Sequence, residues 1–488
     1  MGLTATFLFG FFLTGALADN LNCSGSHEIS RPANLNDSWY WPEGWTDSMN
    51  YVPSFSAGQN CVWKFMIPKG MYAYFGASFT SSDPKTILKM TDSIGYVTTF
   101  NASDFNHPFF LVDPGFTVEL QSSSVGHLGM RVAWFEIPQT TSTTLRVLPN
   151  ETPLALVGDT FNNATTIRAE SRVSLVSIVP KQATDYNVPT MRLTLVFDGP
   201  SINSPFVGNL WQVMASENHL VSSGQYLTLL SVWPGENLGN VAIIQDYTNV
   251  QRFSSYRGIN CYLNTKCEFS IDSQKGKAAA VRYSESPQYL ISLDFPNSHG
   301  VNVYSGALVN ESIVVEYRQS NTTGFLPQKF ESLLTTYEVD GAVGNFQITG
   351  RSDETYWASI FNGRQGVISS KNIGVPTADQ EFSDSFSGKG YFALALTVSK
   401  TDLSGSASLQ ITVLQDKNTV YDTTFTSQNP PNKYLNFTGN TLNVQYKTQG
   451  TRTTGSHVEF AFYRTNGMAV NGVLLVFMLG LMLIQLIL

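Results

Sequence analysis

The chain has 488 residues, a formal charge of −8 and only 14% charged residues, whereas charged residues make up about a quarter of an ordinary soluble protein. It has no basic run, which excludes a nucleic-acid-binding protein because phosphate binding needs clustered Lys and Arg. The length is too great for one compact domain and predicts three or four.

The N-terminal segment 1–18 predicts a secretory signal peptide. Residues 7–13 are apolar apart from Gly10, and residues 15–18 supply the small side chains of a cleavage site after Ala18. No Lys or Arg precedes the apolar stretch, which is atypical. The alternative is a buried N-terminal helix, but a helix packed on a protein surface would show a polar face. We therefore expect export through the secretory pathway.

The segment 19–138 carries a spaced set of aromatic, cysteine and turn motifs. They are Cys23, Arg31-Pro32, Tyr40-Trp41-Pro42, Trp45, Tyr51, Gly58-Gln59-Asn60-Cys61-Val62-Trp63 and Ile67-Pro68-Lys69-Gly70. In these motifs the segment resembles the CUB-like domain family, best known from secreted and membrane-tethered nematode proteins. The resemblance implies an extracellular β-sandwich in a multi-domain surface protein and, by analogy, a role in innate immunity or the stress response.

Three tryptophans of this segment, Trp39, Trp41 and Trp45, form an aromatic cluster with two interpretations. Exposed rings could stack on sugars and make a glycan-binding platform. The favoured alternative is that the rings pack on the sandwich core, because aromatic side chains dominate core burial.

Extracellular CUB domains often bind calcium through a Tyr/Glu/Asp set, and no such set aligns with this sequence. Asp104 and Asp113 are acidic candidates on expected loops, and we interpret them as solvated carboxylates. We predict no metal and no cofactor.

Apolar residues alternate with polar ones along much of the chain, which is typical of strands with one buried face. Turn sequences such as Asp113-Pro114-Gly115, Asp340-Gly341 and Asn362-Gly363 separate these stretches. The pattern predicts an all-β protein of tandem antiparallel β-sandwich, CUB-like domains. The clearest stripes are Met191, Leu193, Leu195 and Phe197; Ile291, Leu293 and Phe295; Phe392, Leu394, Leu396 and Val398; Leu409, Ile411 and Val413; and Val458, Phe460 and Phe462.

A Thr/Ser-rich stretch at 140–144 is interpreted as a linker after the first unit. We expect a second sandwich over 139–257, a third and weakly CUB-like unit over 258–339, and a fourth sandwich over 340–465. An internal repeat is indicated by Cys61 and Cys267, since each is followed by an aromatic residue, apolar residues and then Lys-Gly.

The four cysteines, Cys23, Cys61, Cys261 and Cys267, indicate disulfides in an exported chain. Of the three pairings, we favour Cys23–Cys61 and Cys261–Cys267 because each pair then lies within one domain. The alternative is a zinc site with His27, but no second pair of ligands has zinc spacing.

Eight N-x-S/T sequons predict N-glycans on exposed loops. They lie at Asn22, Asn36, Asn101, Asn150, Asn163, Asn310, Asn321 and Asn436.

The C-terminal segment 466–488 has the pattern of a GPI-attachment signal. Residues 473–488 are apolar apart from Gly480 and Gln485, and small residues precede them, with Asn466 or Gly467 as the expected attachment site. The alternatives are a transmembrane tail, for which the run is short and lacks a basic flank, and a buried strand. We expect a protein held on the outer face of the plasma membrane.

No H-E-x-x-H, nucleophile elbow or phosphate-binding Gly-rich loop occurs in the sequence, and we do not expect an enzyme. We expect a membrane-anchored recognition glycoprotein that binds a protein or glycan outside the cell. The alternatives are a structural or barrier glycoprotein without a discrete ligand and, less favoured, a hydrolase whose groups meet only in the fold.

Overall fold

The computed structural model describes residues 23–100, 108–179, 190–233, 235, 239–261, 266–296, 300–318 and 324–465. The predicted signal peptide, the sequons at Asn22, Asn101 and Asn321, Asp104, and the segment 466–488 with Asn466 and Gly467 lie outside these residues. The regular secondary structure of the described chain is almost entirely strand, which confirms the all-β prediction. None of its helices is long and apolar enough to cross a membrane.

The first unit is a sandwich of two five-stranded sheets. One sheet has the order β1-β4-β9-β6-β7, and the other has β2-β10-β5-β8 with β3 also paired to β10. Along β4, Cys61, Trp63 and Phe65 are buried while Lys64 and Met66 are exposed, so alternation places one face of each sheet in the core. The strands are β1 (Ser24–Ile29), β2 (Trp39–Trp41), β3 (Ser54–Phe55), β4 (Asn60–Met66), β5 (Met71–Ser81), β6 (Ile87–Thr91), β7 (Val97–Phe100), β8 (Phe109–Val112), β9 (Gly115–Gln121) and β10 (Gly126–Glu136).

The second unit pairs a five-stranded sheet, β11-β13-β18-β15-β16, with a four-stranded sheet, β12-β19-β14-β17. One short helix, α1 (Leu210–Ala215), follows β16. The strands are β11 (Ser142–Arg146), β12 (Leu154–Val157), β13 (Ala164–Arg168), β14 (Val173–Ile178), β15 (Thr194–Phe197), β16 (Phe206–Asn209), β17 (Leu220–Val221), β18 (Tyr226–Ser231) and β19 (Val241–Asp246).

The third unit has sheets β20-β22-β27-β24-β25 and β21-β28-β23-β26. The strands are β20 (Ser255–Gly258), β21 (Cys267–Asp272), β22 (Ala278–Tyr283), β23 (Gln288–Asp294), β24 (Val301–Ser305), β25 (Ile313–Tyr317), β26 (Gln328–Phe330), β27 (Leu334–Val339) and β28 (Val343–Thr349).

The first three units share one strand order. If the strands of each unit are numbered from its start and β3 is set aside, every unit has the sheets 1-3-8-5-6 and 2-9-4-7. In each unit the first strand also pairs in parallel with the third. The chain is therefore a tandem array of three sandwiches with the same topology.

The fold contains a repeat, as expected, but the two cysteine motifs do not occupy equivalent positions in the repeated units. Cys61 lies on β4, the third strand of its unit by this numbering, whereas Cys267 begins β21, the second strand of its unit. The two cysteines are not equivalent in the topology, so the alignment suggested by the sequence was wrong.

Strand pairing also moves two predicted boundaries. β20 pairs with β22, and β28 pairs with β21 and β23, so the third unit extends beyond the expected 258–339 at both ends. Residues 142–144 of the expected linker lie in β11, which pairs with β13. Thr is β-branched and suits an exposed edge strand as well as a loop.

The fourth unit is one continuous sheet, β29-β34-β30-β33-β31-β32, rather than two separate sheets. A register shift between Ser387 and Phe392 of β30 divides this sheet. The ring centroids of Phe386 and Phe460, on opposite sides of the shift, are 4.8 Å apart, so the two halves pack on each other around one core. The strands are β29 (Arg364–Ser369), β30 (Phe382–Thr401), β31 (Ser408–Gln415), β32 (Asn418–Phe425), β33 (Tyr434–Lys447) and β34 (Ser456–Arg464).

Candidate functional site

Both predicted disulfides are present. Cys23 is bonded to Cys61 and Cys261 to Cys267, and no described cysteine is free. The first bridge ties the start of β1 to β4, and the second closes a short loop before β21. The zinc alternative is therefore wrong, because the thiols are used in the bridges.

The three tryptophans of the predicted aromatic cluster pack on the core of the first unit. Trp45 is only 5% exposed, and its indole N–H donates to the carbonyl oxygen of Tyr51 at 2.9 Å. The rings of Trp39 and Trp41 meet Phe65 and Trp63 edge-on, with centroids 5.0 and 5.2 Å apart. Trp39 and Trp41 are half-buried, and core packing explains the cluster better than a glycan platform does.

The sequons that the structure describes all lie at the surface. Glycosylation itself stays a prediction, and exposure makes each site accessible to it. These exposed residues are Asn36, Asn150, Asn163, Asn310 and Asn436.

The acidic candidate Asp113 is exposed at the turn between β8 and β9. Within the described ranges, no group of three His, Cys, Asp or Glu side chains could hold a metal ion. Nothing in the described geometry therefore points to a particular metal or cofactor.

One serine–histidine pair has the geometry that a hydrolase would need. Ser174 Oγ and His219 Nδ1 lie 2.7 Å apart. Burial, assisted by the positive charge of Arg172, lowers the pKa of His219 to about 4, so the ring is neutral at pH 7. However, Ser174 is only 1% exposed, and a nucleophile must reach its substrate. The pair is better explained as a structural hydrogen bond.

The joint between the first and second units is a continuous apolar interface. The Tyr72 hydroxyl crosses it and donates to the carbonyl oxygen of Val232 at 3.3 Å, and burial raises the pKa of Tyr72. An interface of this kind restricts motion between the two sandwiches. Its buried residues are Tyr72, Phe110, Val112 and Ile137 from the first unit and Ala164, Leu193, Leu195, Phe197, Leu230 and Val232 from the second.

An apolar hairpin tip lies beside this joint. The tip joins β6 to β7, and its side chains Ile94, Tyr96 and Val97 are 43%, 39% and 52% exposed. Three exposed apolar side chains so close together are more than the scattered single residues of an ordinary surface. We call these three residues the hairpin patch.

The conformation of the hairpin tip is fixed from both units. Asp92 Oδ1 accepts hydrogen bonds from the backbone N–H groups of Ile94 and Tyr96 at 3.0 and 2.8 Å. Its other oxygen accepts one from the Gln212 side chain of α1 at 2.6 Å. Gln212 in turn forms a capping box with Asn209 at the start of α1. The second unit thus holds the tip of the first.

A cleft opens next to the hairpin patch. Beneath it the Arg192 guanidinium lies 3.8 Å from the Phe109 ring centroid and 5.0 Å from that of Trp211. The cleft is shallow, with room for about one water molecule, so a partner would lie across its rim rather than insert a side chain. It is lined by Met90, Asp92, Tyr96, Thr98, Phe109, Phe110, Leu111, Arg192, Asn209, Trp211 and Gln212.

The sequence did not predict the hairpin patch, because Asp92 and Gln212 are 120 residues apart. One local signal was available. Asn209 followed three residues later by Gln212 is a capping-box pattern and predicts a helix start. That pattern predicts α1, but nothing local indicates that the Gln212 side chain would reach another unit.

Comparison with protein families finds matches over three segments. Residues 18–138 match a CUB-like domain, and residues 147–232 and 248–351 match two domains of unknown function. The first and third segments contain all the strands of their sandwiches, whereas the second leaves out β11 and β19 at the ends of its sandwich. The sandwiches in which the two domains of unknown function lie have the same strand order as the CUB-like unit. No curated protein matches the chain.

Comparison with solved structures also finds several with low overall similarity. The CUB1-EGF-CUB2 domains of rat MASP-1 share 10% identity, with 45% of this chain and 100% of that chain covered and a TM-score of 0.19. The corresponding human MASP-1/3 fragment shares 12%, covering 43% and 99%, with a TM-score of 0.17. The extracellular region of zebrafish Gpr126/Adgrg6 shares 9%, covering 92% and 53%, with a TM-score of 0.18.

A CUB-like domain together with two disulfides indicates an extracellular protein, because disulfides persist in oxidising compartments. The chain thus contains a CUB-like domain at residues 18–138, followed by two domains of unknown function that share its topology.

Proposed function

We propose that this protein is a membrane-anchored recognition glycoprotein that binds a protein partner outside the cell through the hairpin patch and the rim of the cleft beside it. The observation that carries the proposal is that Asp92 and Gln212 hold an exposed apolar tip on two docked sandwiches. A rigid scaffold that presents an apolar loop is typical of binding sites. By the resemblance of its first unit, we place this function in innate immunity or the stress response.

The partner is expected to be a protein rather than a glycan. The hairpin patch is apolar, and the residues that define interface hot spots are aromatic side chains and Arg. Tyr96 and Trp211 supply aromatic rings at this surface, while Arg192 is buried beneath it and packs on the Trp211 ring. A glycan would need more exposed polar groups around the rings than this surface offers.

Binding through the hairpin patch can be tested by reconstituting the full-length protein in labelled nanodiscs and measuring how much of it binds to intact cells of the source organism. We expect saturable binding, and we expect Ile94→Ser with Tyr96→Ser and Val97→Ser to weaken it about tenfold or more, because hot-spot residues dominate affinity. Met66→Ser with Val125→Ser is a matched control, since these side chains are 42% and 52% exposed on the same unit.

Two other results would point elsewhere. Binding that does not saturate would favour the structural or barrier alternative, in which the glycoprotein has no discrete ligand. Saturable binding that both variants leave unchanged would place the partner on another surface. A hydrolase is the least supported alternative, because Ser174 is buried.

Anchoring is tested by treating expressing cells with a phosphatidylinositol-specific phospholipase and blotting the medium. If the tail 466–488 is exchanged for a lipid, we expect the protein to appear in the medium together with a GPI-anchored control protein. Retention of the protein while the control is released would favour a tail that spans the bilayer.

A further inference from the structure

We propose that one end of the fourth unit rests on the membrane and binds the phosphate groups of lipid headgroups through Lys389 and Arg464, with Tyr391 between them. We call these three residues the basic end. The inference rests on the proposed membrane anchoring and adds to it a specific orientation of the array.

The basic end is the place where the described chain leaves the fold. Arg464 is the last residue of β34 and pairs with Phe392 on β30. The backbone N–H of Thr465 donates to the carbonyl oxygen of Tyr391 at 2.9 Å. The Arg464 guanidinium lies 3.8 Å from the position that a Cβ on Gly390 would take. Lys389 and Tyr391 flank Gly390 on β30, so all three residues of the basic end lie at the exit of the chain.

The charges of this end are not neutralised by the rest of the fold. Lys389 and Arg464 are exposed, and neither forms an ion pair within the described part of the chain. Residues 465–488 contain no Asp or Glu. Two cations without ion-pair partners, at the point where the chain leaves the fourth unit, favour binding of an anionic group. The phosphates of lipid headgroups are such groups, and they lie at the membrane surface where the tail enters the bilayer.

Tyr391 has the amphipathic side chain that suits a membrane interface. It is 46% exposed, and it lies in the irregular part of β30 between Ser387 and Phe392, which breaks the ladder with β33. Tyr rings settle at the headgroup level, with the ring in the apolar layer and the hydroxyl in water.

The connecting segment is short enough to keep this end near the bilayer. Residues 466–472 separate Thr465 from the apolar run that starts at Val473, and seven extended residues span at most about 25 Å. Attachment of a lipid at Asn466 or Gly467 would bring the end closer still.

The opposite end of the same strands offers a matched control surface. Tyr434 is 40% exposed, with the Lys433 ammonium 5.3 Å from its ring centroid. It pairs with Thr397 of β30, whereas Gly439 pairs with Phe392, so it lies several residues away along β33. This second Tyr–Lys pair has similar chemistry but is remote from the chain exit.

The test uses the full chain in vesicles of phosphatidylcholine with phosphatidylserine. A polarity-sensitive fluorophore is attached to Tyr391→Cys or to Tyr434→Cys; the native cysteines are all bonded and do not react. We expect quenching by brominated lipids at position 391 and not at 434. Adding Lys389→Gln and Arg464→Gln should cut quenching at position 391 to about a third or less, whereas Lys433→Gln with Lys447→Gln should not change it.

Flotation separates this proposal from the anchoring on which it rests. If the full chain does not float with the vesicles, both the anchor and the basic end are overturned. If it floats but positions 391 and 434 are quenched equally, only the orientation is overturned. If quenching at 391 persists after Lys389→Gln and Arg464→Gln, the phosphate contact is overturned.

Discussion

Replacing Arg364 with Met is expected to lower the free energy of unfolding of the C-terminal half by about 2–3 kcal/mol. Arg364 begins β29 and is completely buried. Its guanidinium donates to the carbonyl oxygens of Gly324 and Pro327 at 3.0 and 2.6 Å, and also to that of Gln365. Gly324 and Pro327 precede β26 of the third unit, so one side chain joins two units.

The size of the effect follows from the backbone carbonyl groups that would lose a hydrogen-bond donor when Met replaces Arg364. The buried carbonyl group of Pro327 would lose its charged donor, and a buried unsatisfied acceptor is costly. The carbonyl group of Gly324 would keep the backbone N–H of Gln365 as a donor at 2.7 Å. Burial lowers the pKa of Arg364 to about 10, so the side chain stays charged at neutral pH. The rings of Trp357 and Phe460, with centroids 5.2 and 5.4 Å from the guanidinium carbon, complete its surroundings.

Urea denaturation followed by tryptophan fluorescence measures this change, because Trp357 lies at the same joint. Arg452→Met is the matched control. Arg452 also donates to one carbonyl oxygen, that of Pro376 at 3.0 Å, but it is exposed, so we expect a change within about 0.5 kcal/mol. Equal effects of the two substitutions would contradict the role assigned to Arg364.

For strands with one face in a core, the sequence predicted which side chains are buried. Along β31, Leu409, Ile411 and Val413 are fully buried, as their alternation with polar residues predicts. The same holds for the stripe on β34. These strands pack within their own unit, so the period-two pattern contains the information that determines their burial.

The burial of strand faces that contact another unit could not be predicted in this way. Met191–Phe197 alternates in sequence, yet Met191–Leu193 forms a 3-10 turn and all four residues of β15 are buried. The reason is that Leu195 and Phe197 pack on the first unit. The sequence of a single strand does not indicate which side chains will contact a unit more than fifty residues away. For the same reason the roles of Arg364 and the hairpin patch could not be predicted from the sequence.

The joint between the second and third units, which we call the second joint, is expected to become less stable in acid because of His219. The ring of His219 lies between Tyr247 and Tyr256, with centroids 5.8 and 5.7 Å away. Tyr256 belongs to the third unit, and its backbone N–H donates to Asn218 next to the histidine at 3.0 Å. A charge on His219 would therefore be placed in the joint itself, beside the positive Arg172.

The direction of this pH effect on stability follows from the pKa values of His219 in the folded and unfolded states. Burial, followed by the charge of Arg172, lowers the pKa of His219 from 6.5 to about 4 in the folded protein. Between these values the unfolded chain binds a proton that the native chain does not. The free energy of unfolding therefore falls as the pH drops from about 6.5 to about 4, by at most about 3 kcal/mol from this group. Above pH 6.5 the contribution is constant.

His219→Gln should remove this pH dependence, because Gln can keep a hydrogen bond to Ser174 and does not titrate. The measurement is the urea midpoint of wild type and variant at a series of pH values from 7.5 to about 4, the range in which the group is linked to unfolding. His127→Gln, at an exposed histidine, should leave the wild-type slope in place. Should the His219→Gln variant lose stability in acid as steeply as wild type, the proton uptake would belong to other groups. A flattened slope would instead show that burial of the neutral His219 imidazole in the joint makes the protein less stable in acid.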